Sequence, residues 1–353
     1  MESTIEKIDK NFATATVDGR PVCYYNVKEA PFSLYGCLQT DDDGPFRRLP
    51  HLEGVNGGVN WLSFNTAGVR ARFTTDSPYI ALRAEIDGAC HMAHMTLCAS
   101  CGFDLYELAE GRERYLRSFL PWTGITSGIE CFADLWERKR RALTLNFPLY
   151  NGIKKLEIGI APDAYLERGA DYLPMAPIVY YGSSITQGGC ASRPGNSYEA
   201  LISHETNADY LNLGFSGSCV AEPEMAEYIT SLKMSAFVFD YDYNAPTAKY
   251  LSETHEPFFK AIRKAYPTLP VIMLSAPYPA TEGDDRERRD IILSTYENAR
   301  RNGDENVYFL DGGRIFDGEF RDGCTVDGVH PNDLGFSRMA SAILNLLKKA
   351  LNI

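Results

Sequence analysis

Ser184 stands in the run Gly182-Ser183-Ser184-Ile185-Thr186-Gln187-Gly188, directly after the apolar segment Ile178-Val179-Tyr180-Tyr181. A serine between glycines at a strand-to-helix turn can hold its hydroxyl exposed at a helix N-terminus. Free N–H groups and the helix dipole favour negative charge there. Read alone, the run serves equally as a capping serine pair at a tight turn. Asp327-Gly328-Val329-His330-Pro331-Asn332 adds what a serine needs to become a nucleophile. A carboxylate three residues ahead of a histidine can fold back onto the imidazole and fix its tautomer, leaving the other ring nitrogen to accept the serine proton. Taken apart, an Asp-Gly pair is most often a turn and a histidine is often merely hydrogen-bonded. Taken together, the residues point to acyl transfer, with Ser184 as nucleophile, His330 as base and Asp327 orienting that base.

Two further stretches supply donors for a developing oxyanion. Gly214-Phe215-Ser216-Gly217-Ser218 offers a glycine N–H and Asp242-Tyr243-Asn244-Ala245 a side-chain amide. Each such donor is worth roughly 3 kcal/mol when aimed at the charge. Asn244 alone reads as an ordinary loop asparagine. Arg193, Asp242 and Tyr243 lie close enough in sequence to these groups to line a substrate entrance.

The elements that must position these residues fall into two rhythms. From about residue 20 to 165, short alternating runs such as Val69–Thr75, Tyr79–Ile86, Leu143–Phe147 and Lys155–Ile160 are separated by turn residues. This predicts an antiparallel β-sandwich of jelly-roll type. After residue 174, apolar runs at Ile178–Tyr181, Tyr210–Leu213, Ala236–Phe239, Val271–Leu274 and Val307–Leu310 alternate with helical segments. The helices are expected at Tyr198–His204, Pro223–Leu232, Thr254–Tyr266, Arg286–Arg301 and Asp333–Ala350. Strand-helix alternation predicts an α/β, doubly wound parallel sheet, and such sheets carry their chemistry at the C-terminal ends of the strands. The predicted organisation is a sandwich over 1–170 and an α/β domain over 171–353.

Ser184, Gly217, Asn244 and the Asp327/His330 pair, in that order at four strand ends, resemble the SGNH (GDSL-type) hydrolases over roughly residues 175 to 350. Gly217 rather than Gly214 matches the family's later glycine of an Asn-x-x-x-x-Gly stretch, here Asn212 to Gly217. The resemblance implies an oxyanion hole made by the Ser184 N–H, the Gly217 N–H and the Asn244 side chain. Two departures stand out. The Gly-Asp-Ser-Leu signature reads Gly182-Ser183-Ser184-Ile185, and Gly-x-Asn-Asp reads Asp242-Tyr243-Asn244-Ala245. Gly102-Phe103-Asp104-Leu105-Tyr106 looks like the Gly-x-Asp-Leu-Tyr motif of a β-rich domain found ahead of one SGNH branch, and Leu145–Asn151 is in keeping with it. The two-domain order is similar to certain acetylxylan esterases. The implied substrate is a small-molecule or oligosaccharide ester carrying a short, acetyl-like acyl group. The rival readings are a lipid or thioester acylhydrolase, and a carbohydrate-binding protein whose hydrolase half has decayed.

Composition bounds the rest. The 353 residues are 44% hydrophobic and 23% charged, ample for two cores at about 150 residues each. A net charge of -12 and the lack of a basic footprint beyond Arg138-Lys139-Arg140-Arg141 argue against nucleic acid; that tetrad reads as a solvated turn. Nine cysteines without framework spacing suit reduced thiols and a cytoplasmic setting. The opening MESTIEKIDKNFATATVDG has no apolar core of a secretory signal, and no run approaches the ~20 apolar residues of a membrane span. His91, His94, Cys98 and Cys101 have the residue types of a zinc site. Strand periodicity would turn the two histidines to opposite faces, so neither a metal nor a cofactor is expected. Oligomeric state is not legible.

Overall fold

The computed structural model describes residues 14–38, 44–277 and 283–353. The opening segment 1–13, on which the signal-peptide reading bears, lies outside the described residues. Among the described residues, the N-terminal half carries β1 (Thr14–Val17), β2 (Arg20–Asn26), β3 (Ser33–Tyr35), α1 (Gly57–Leu62), β4 (Arg70–Thr75), β5 (Tyr79–Ile86), α2 (Leu97–Cys101), β6 (Phe103–Ala109), β7 (Arg112–Phe119), β8 (Gly128–Asp134), β9 (Arg141–Asn146), β10 (Ile153–Ile160) and β11 (Leu166–Arg168). They form two antiparallel sheets, β1-β2-β10-β5-β8 and β11-β4-β9-β6-β7, with β3 beside β4. Alternation puts Ile80, Leu82, Ala84 and Ile158 of one sheet against Ala71, Phe73, Leu105 and Leu143 of the other in a dry core. Arg138, Lys139 and Arg140 of the basic tetrad form a surface turn whose charges are met by Asp163, Glu107 and Glu167, while Arg141 is buried at the start of β9 and donates to the carbonyls of Glu137 and Lys139.

The C-terminal half runs β12 (Ile178–Gly182), α3 (Ser184–Gln187), α4 (Tyr198–Thr206), β13 (Tyr210–Gly214), α5 (Pro223–Ser231), β14 (Ala236–Asp240), α6 (Ala248–Ala265), β15 (Val271–Leu274), α7 (Gly283–Arg301), β16 (Val307–Leu310) and α8 (Asp333–Leu351). Its strands pair in parallel in the order β13-β12-β14-β15-β16. This is a doubly wound sheet, and both faces are covered. Val179, Tyr181, Leu213 and Phe239 point into one core, Ile178, Tyr180 and Val238 into the other. The chain passes from β13 on one side of β12 to β14 on the other, so the crevice opens beyond the C-terminal end of β12. Helix α6 begins six residues before the expected Thr254. Thr247 caps it by accepting from the Tyr250 N–H, and Leu251, His255 and Phe258 bury one face across Pro257.

The halves share their cores. Leu49, Val59 and Leu62 enter one α/β core, and Leu149 and Tyr150 the other. Arg48, fully buried, crosses the seam. Its guanidinium donates to the carbonyls of Leu62 and Asn65 on one side and of Asn212 and Gly214 on the other, at 2.7–3.0 Å. The ring of Phe215 lies 4.8 Å from it. Arg70 reaches Asp209 and covers the ring of Tyr210, and Glu113 joins Arg72 and His204. Replacing Arg48 by Met takes the guanidinium donors away from four carbonyls in the seam. The expected loss is about 3 kcal/mol or more, read as a lower urea midpoint at an unchanged slope; an unshifted midpoint would refute the role given to Arg48.

Candidate active site

Strand β12 ends at Gly182, and the chain turns at once into α3. Ser183 caps that helix, its Oγ accepting from the Ile185 N–H at 3.2 Å, which leaves Ser184 as the first helical residue. Gly188, at φ +100°, ends the helix after one turn. So short an element holds its place through neighbours rather than through its own ladder. A Cβ on Gly182 would lie 2.1 Å from Thr186 Oγ1, and one on Gly214 only 2.2 Å from the Gln187 nitrogen. The two glycines therefore let α3 lie directly on the sheet end. Thr186 Oγ1 donates to Asp240 Oδ2 at 2.8 Å, Asn212 Nδ2 donates to the Thr186 carbonyl at 2.6 Å, and Tyr150 OH donates to the Ser184 carbonyl at 3.1 Å. Burial pushes Asp240 up to about 7, against the pull of the Thr186 hydroxyl.

Ser184 Oγ lies 2.9 Å from His330 Nε2, and His330 Nδ1 lies 2.7 Å from Asp327 Oδ2. The loop that carries the last two is built around its own aspartate. Asp327 Oδ1 accepts from the N–H groups of Val329 (3.0 Å) and His330 (2.8 Å). Gly328 supplies the left-handed residue at φ +86°, and Asn332 then caps α8. Partial burial works to raise Asp327. It is outweighed by the His330 N–H, the imidazole and the Val329 N–H, which together hold the carboxyl down to about 2. An ionised Asp327 accepts from Nδ1–H, so the Nε2 lone pair faces the serine hydroxyl. That arrangement can take a proton from Ser184.

Gly217 is exposed at φ +67°, and its N–H has no acceptor among the described residues; the same holds for the Ser184 N–H. The Ser216 N–H is tied to Gln187 Oε1 at 2.9 Å, and Gly214, inside β13, spends its N–H on Asn212 Oδ1. Asn244 donates one amide hydrogen to the Phe215 carbonyl at 2.9 Å, which fixes it against the Gly217 loop. A second amide hydrogen remains.

Of the three residues expected at the entrance, Arg193 and Asp242 are engaged by other segments. Arg193 turns to the sandwich, donating to Tyr106 OH at 3.3 Å beside Asp104 and over the Tyr115 ring. Asp242 is buried and accepts from the Ala276 N–H at 2.9 Å, with burial pushing it up to about 6. Tyr243 packs half-buried against the core around Ile185 and Tyr150. The polar groups of Arg193 and Asp242 tie segments together, and that need outweighs their nearness in sequence to the site. His91 and His94 sit in the loop before α2, not on a strand; His94 lies against His330, ring centres 5.5 Å apart. Arg48, Tyr150, Thr186, Gln187 and Asn212 escaped the sequence reading. Tyr150, Thr186, Gln187 and Asn212 each stand inside a stretch already singled out, whereas Arg48 carries no signal.

Residues 175–348 match the GDSL-like Lipase/Acylhydrolase family, and residues 22–166 match the domain described as the N-terminus of Esterase_SGNH_hydro-type. Among solved structures, a GDSL-like lipase from Bacteroides ovatus ATCC 8483 is 29% identical over 94% of this chain and 98% of its own, with a TM-score of 0.83. The salicylyl-acyltransferase SsfX3 from a tetracycline biosynthetic pathway is 22% identical over 94% and 97%, with a TM-score of 0.75. A family two carbohydrate esterase from Clostridium thermocellum, in complex with cellohexaose, is 15% identical over 91% and 99%, with a TM-score of 0.64. The last two likenesses are of fold. No curated protein matches the sequence.

The two glycines beside α3 and its facing loop separate by substitution. Gly214→Ala drives a methyl into the α3 backbone and is expected to cost several kcal/mol, whereas Gly217→Ala meets open space and pays only backbone strain of about 1 kcal/mol. Equal urea midpoints for the two variants would contradict the close approach of β13 to α3.

Proposed function

We propose that this chain, whose residues 175–348 match the GDSL-like Lipase/Acylhydrolase family, is a serine ester hydrolase and that Ser184, His330 and Asp327 carry its reaction. The observation that supports this is the unbroken relay from Ser184 Oγ through His330 to Asp327, at 2.9 and 2.7 Å. Ser184 Oγ attacks the ester carbonyl as its proton passes to His330 Nε2. The carbonyl oxygen, now negative, takes hydrogen bonds from the Ser184 N–H, the Gly217 N–H and the remaining Asn244 amide hydrogen. His330 returns the proton to the alcohol as the C–O bond breaks, leaving an acyl-Ser184 ester. Water, deprotonated by His330, attacks that ester, and the acid leaves as Ser184 regains its proton.

For the substrate we infer a short acyl group, acetyl first, on a carbohydrate hydroxyl. A cleft of about 480 Å³ opens on the sandwich, lined by Trp61, Phe64, Asn65, Asn151 and Tyr150. Tyr150 links it to the Ser184 carbonyl, and Trp61 is 70% exposed there. Exposed rings beside side-chain amides suit a sugar, whose C–H face stacks while its hydroxyls hydrogen-bond. The likeness in fold to a carbohydrate esterase bound to cellohexaose agrees with this reading. A lipid or thioester acylhydrolase of the same mechanism would instead prefer long acyl chains.

Ser184→Ala should abolish hydrolysis of p-nitrophenyl acetate; retained turnover would sink the assignment. Asp327→Asn should lower kcat by about 10³–10⁴-fold, since the amide no longer enforces the reactive tautomer. On acetylated oligosaccharides, Trp61→Ala is expected to raise KM by roughly 3–10-fold with kcat kept, matching the loss of one stacking contact. Faster turnover of long-chain than of acetyl esters would favour the lipid reading.

A further inference from the structure

Three metal-ligating side chains from three separate segments meet beside Ser184. The ligand atoms of His94, Cys190 and His330 all lie within 4.8 Å of one another. His94 comes from the sandwich, in the loop between β5 and α2; Cys190 follows α3; His330 precedes α8. Two imidazoles and one thiolate suit a tetrahedral zinc-type ion, with water or Ser184 Oγ in the fourth position. Asp327 occupies His330 Nδ1 at 2.7 Å, so Nε2 is the nitrogen that faces the ion. A carboxylate on the far nitrogen is the usual support of a metal-bound imidazole. Cys190 is a buried free thiol. Close packing keeps its turn against His330, for a Cβ on the preceding Gly189 would lie 3.3 Å from the imidazole Cδ2. His94 is exposed, which leaves the cluster open to an arriving ion.

We propose that Zn2+, or a divalent cation of similar softness, binds His94, Cys190 and His330 and reversibly shuts the hydrolase by taking Nε2 from the serine. Binding forms a metal–sulfur bond as the Cys190 S–H bond breaks, and the thiol proton leaves to solvent. No electron changes hands. The inhibition rests on the reading of His330 as base; the binding does not. It also ties the sandwich loop to the α/β domain, so the ion should raise thermal stability.

In chelator-free buffer, Zn2+ should inhibit hydrolysis of p-nitrophenyl acetate, and EDTA should restore it. Cys190→Ser and His94→Ala should need about tenfold more Zn2+, or beyond, for half inhibition. Binding is read apart from turnover with Co2+. A thiolate-to-cobalt absorption band is expected in the wild type and in Ser184→Ala, and should be lost in Cys190→Ser. The proposal is overturned if both ligand variants are inhibited at the wild-type Zn2+ concentration, or if Cys190→Ser keeps the cobalt band. A cobalt band in an enzyme whose turnover Zn2+ leaves untouched overturns the inhibition alone and tells against His330 as base, not against the metal site.

Discussion

A buried cation without a carboxylate partner holds this structure together at its seam. Arg48 is fully buried, and its charge is met by carbonyl dipoles of both halves. Removing a guanidinium from water costs several kcal/mol unless every donor finds an acceptor. The acceptors exist only when the sandwich and the end of β13 are in register. The same register fixes Asn212, whose side chain also accepts from Arg48 at 3.3 Å and holds the carbonyl of Thr186. One relay thus runs from the sandwich through Arg48 and Asn212 to the helix that carries Ser184. The N-terminal domain is part of the mounting of the site, not an appendage beside it.

The mounting is rigid on one side and open on the other. Behind Ser184, glycines bring α3 onto the sheet end, and Thr186, Asp240, Tyr198 and Tyr150 fill the remaining hydrogen-bonding groups. In front of it, Asp327 and His330 sit on a partly exposed loop that organises itself through a single carboxylate. A serine hydroxyl has to keep one position throughout a reaction, whereas its base exchanges protons with groups that arrive and leave. A packed floor and a self-supporting loop suit those separate demands.

Much of this was legible from local pattern. Buried parallel strands are short continuous apolar runs, and all five of the second half stand where those runs are. Tyr79–Ile86 forms a strand with the expected bounds because Asp76-Ser77-Pro78 and Asp87-Gly88 stop it at both ends. The spacing of Asp327 to His330 likewise carries its own geometry. What could not be read is whatever depends on a distant partner. Arg48 looks like any surface arginine until Asn212 and Gly214 come to meet it. Arg193 and Asp242 stand close in sequence to the motifs, yet Tyr106 and Ala276 claim them from other segments. Around His91 the strand rhythm of the first half predicts sheet, yet the chain forms a loop that runs into the short helix capped by Thr96, a signal that one threonine does not announce.

The two departures from the usual signatures gain a physical meaning from these partners. Where an aspartate ordinarily precedes the nucleophile, Ser183 is buried and spends its hydroxyl as the cap of α3. Aspartate performs the same capping with a full charge, so serine keeps the turn and removes a negative group from beside Ser184. Where glycine ordinarily opens the third stretch, Asp242 is sealed under the loop and bonded to the Ala276 backbone, with Arg288 holding the carbonyls of Asp242 and Ala245 from outside. Its carboxylate thus stabilises the loop that carries Asn244. Both changes alter how loops are tied to the sheet, and neither alters the groups proposed to react. Both departures therefore lie in the scaffold around the groups proposed to react, which is where a change of substrate can arise without loss of the chemistry.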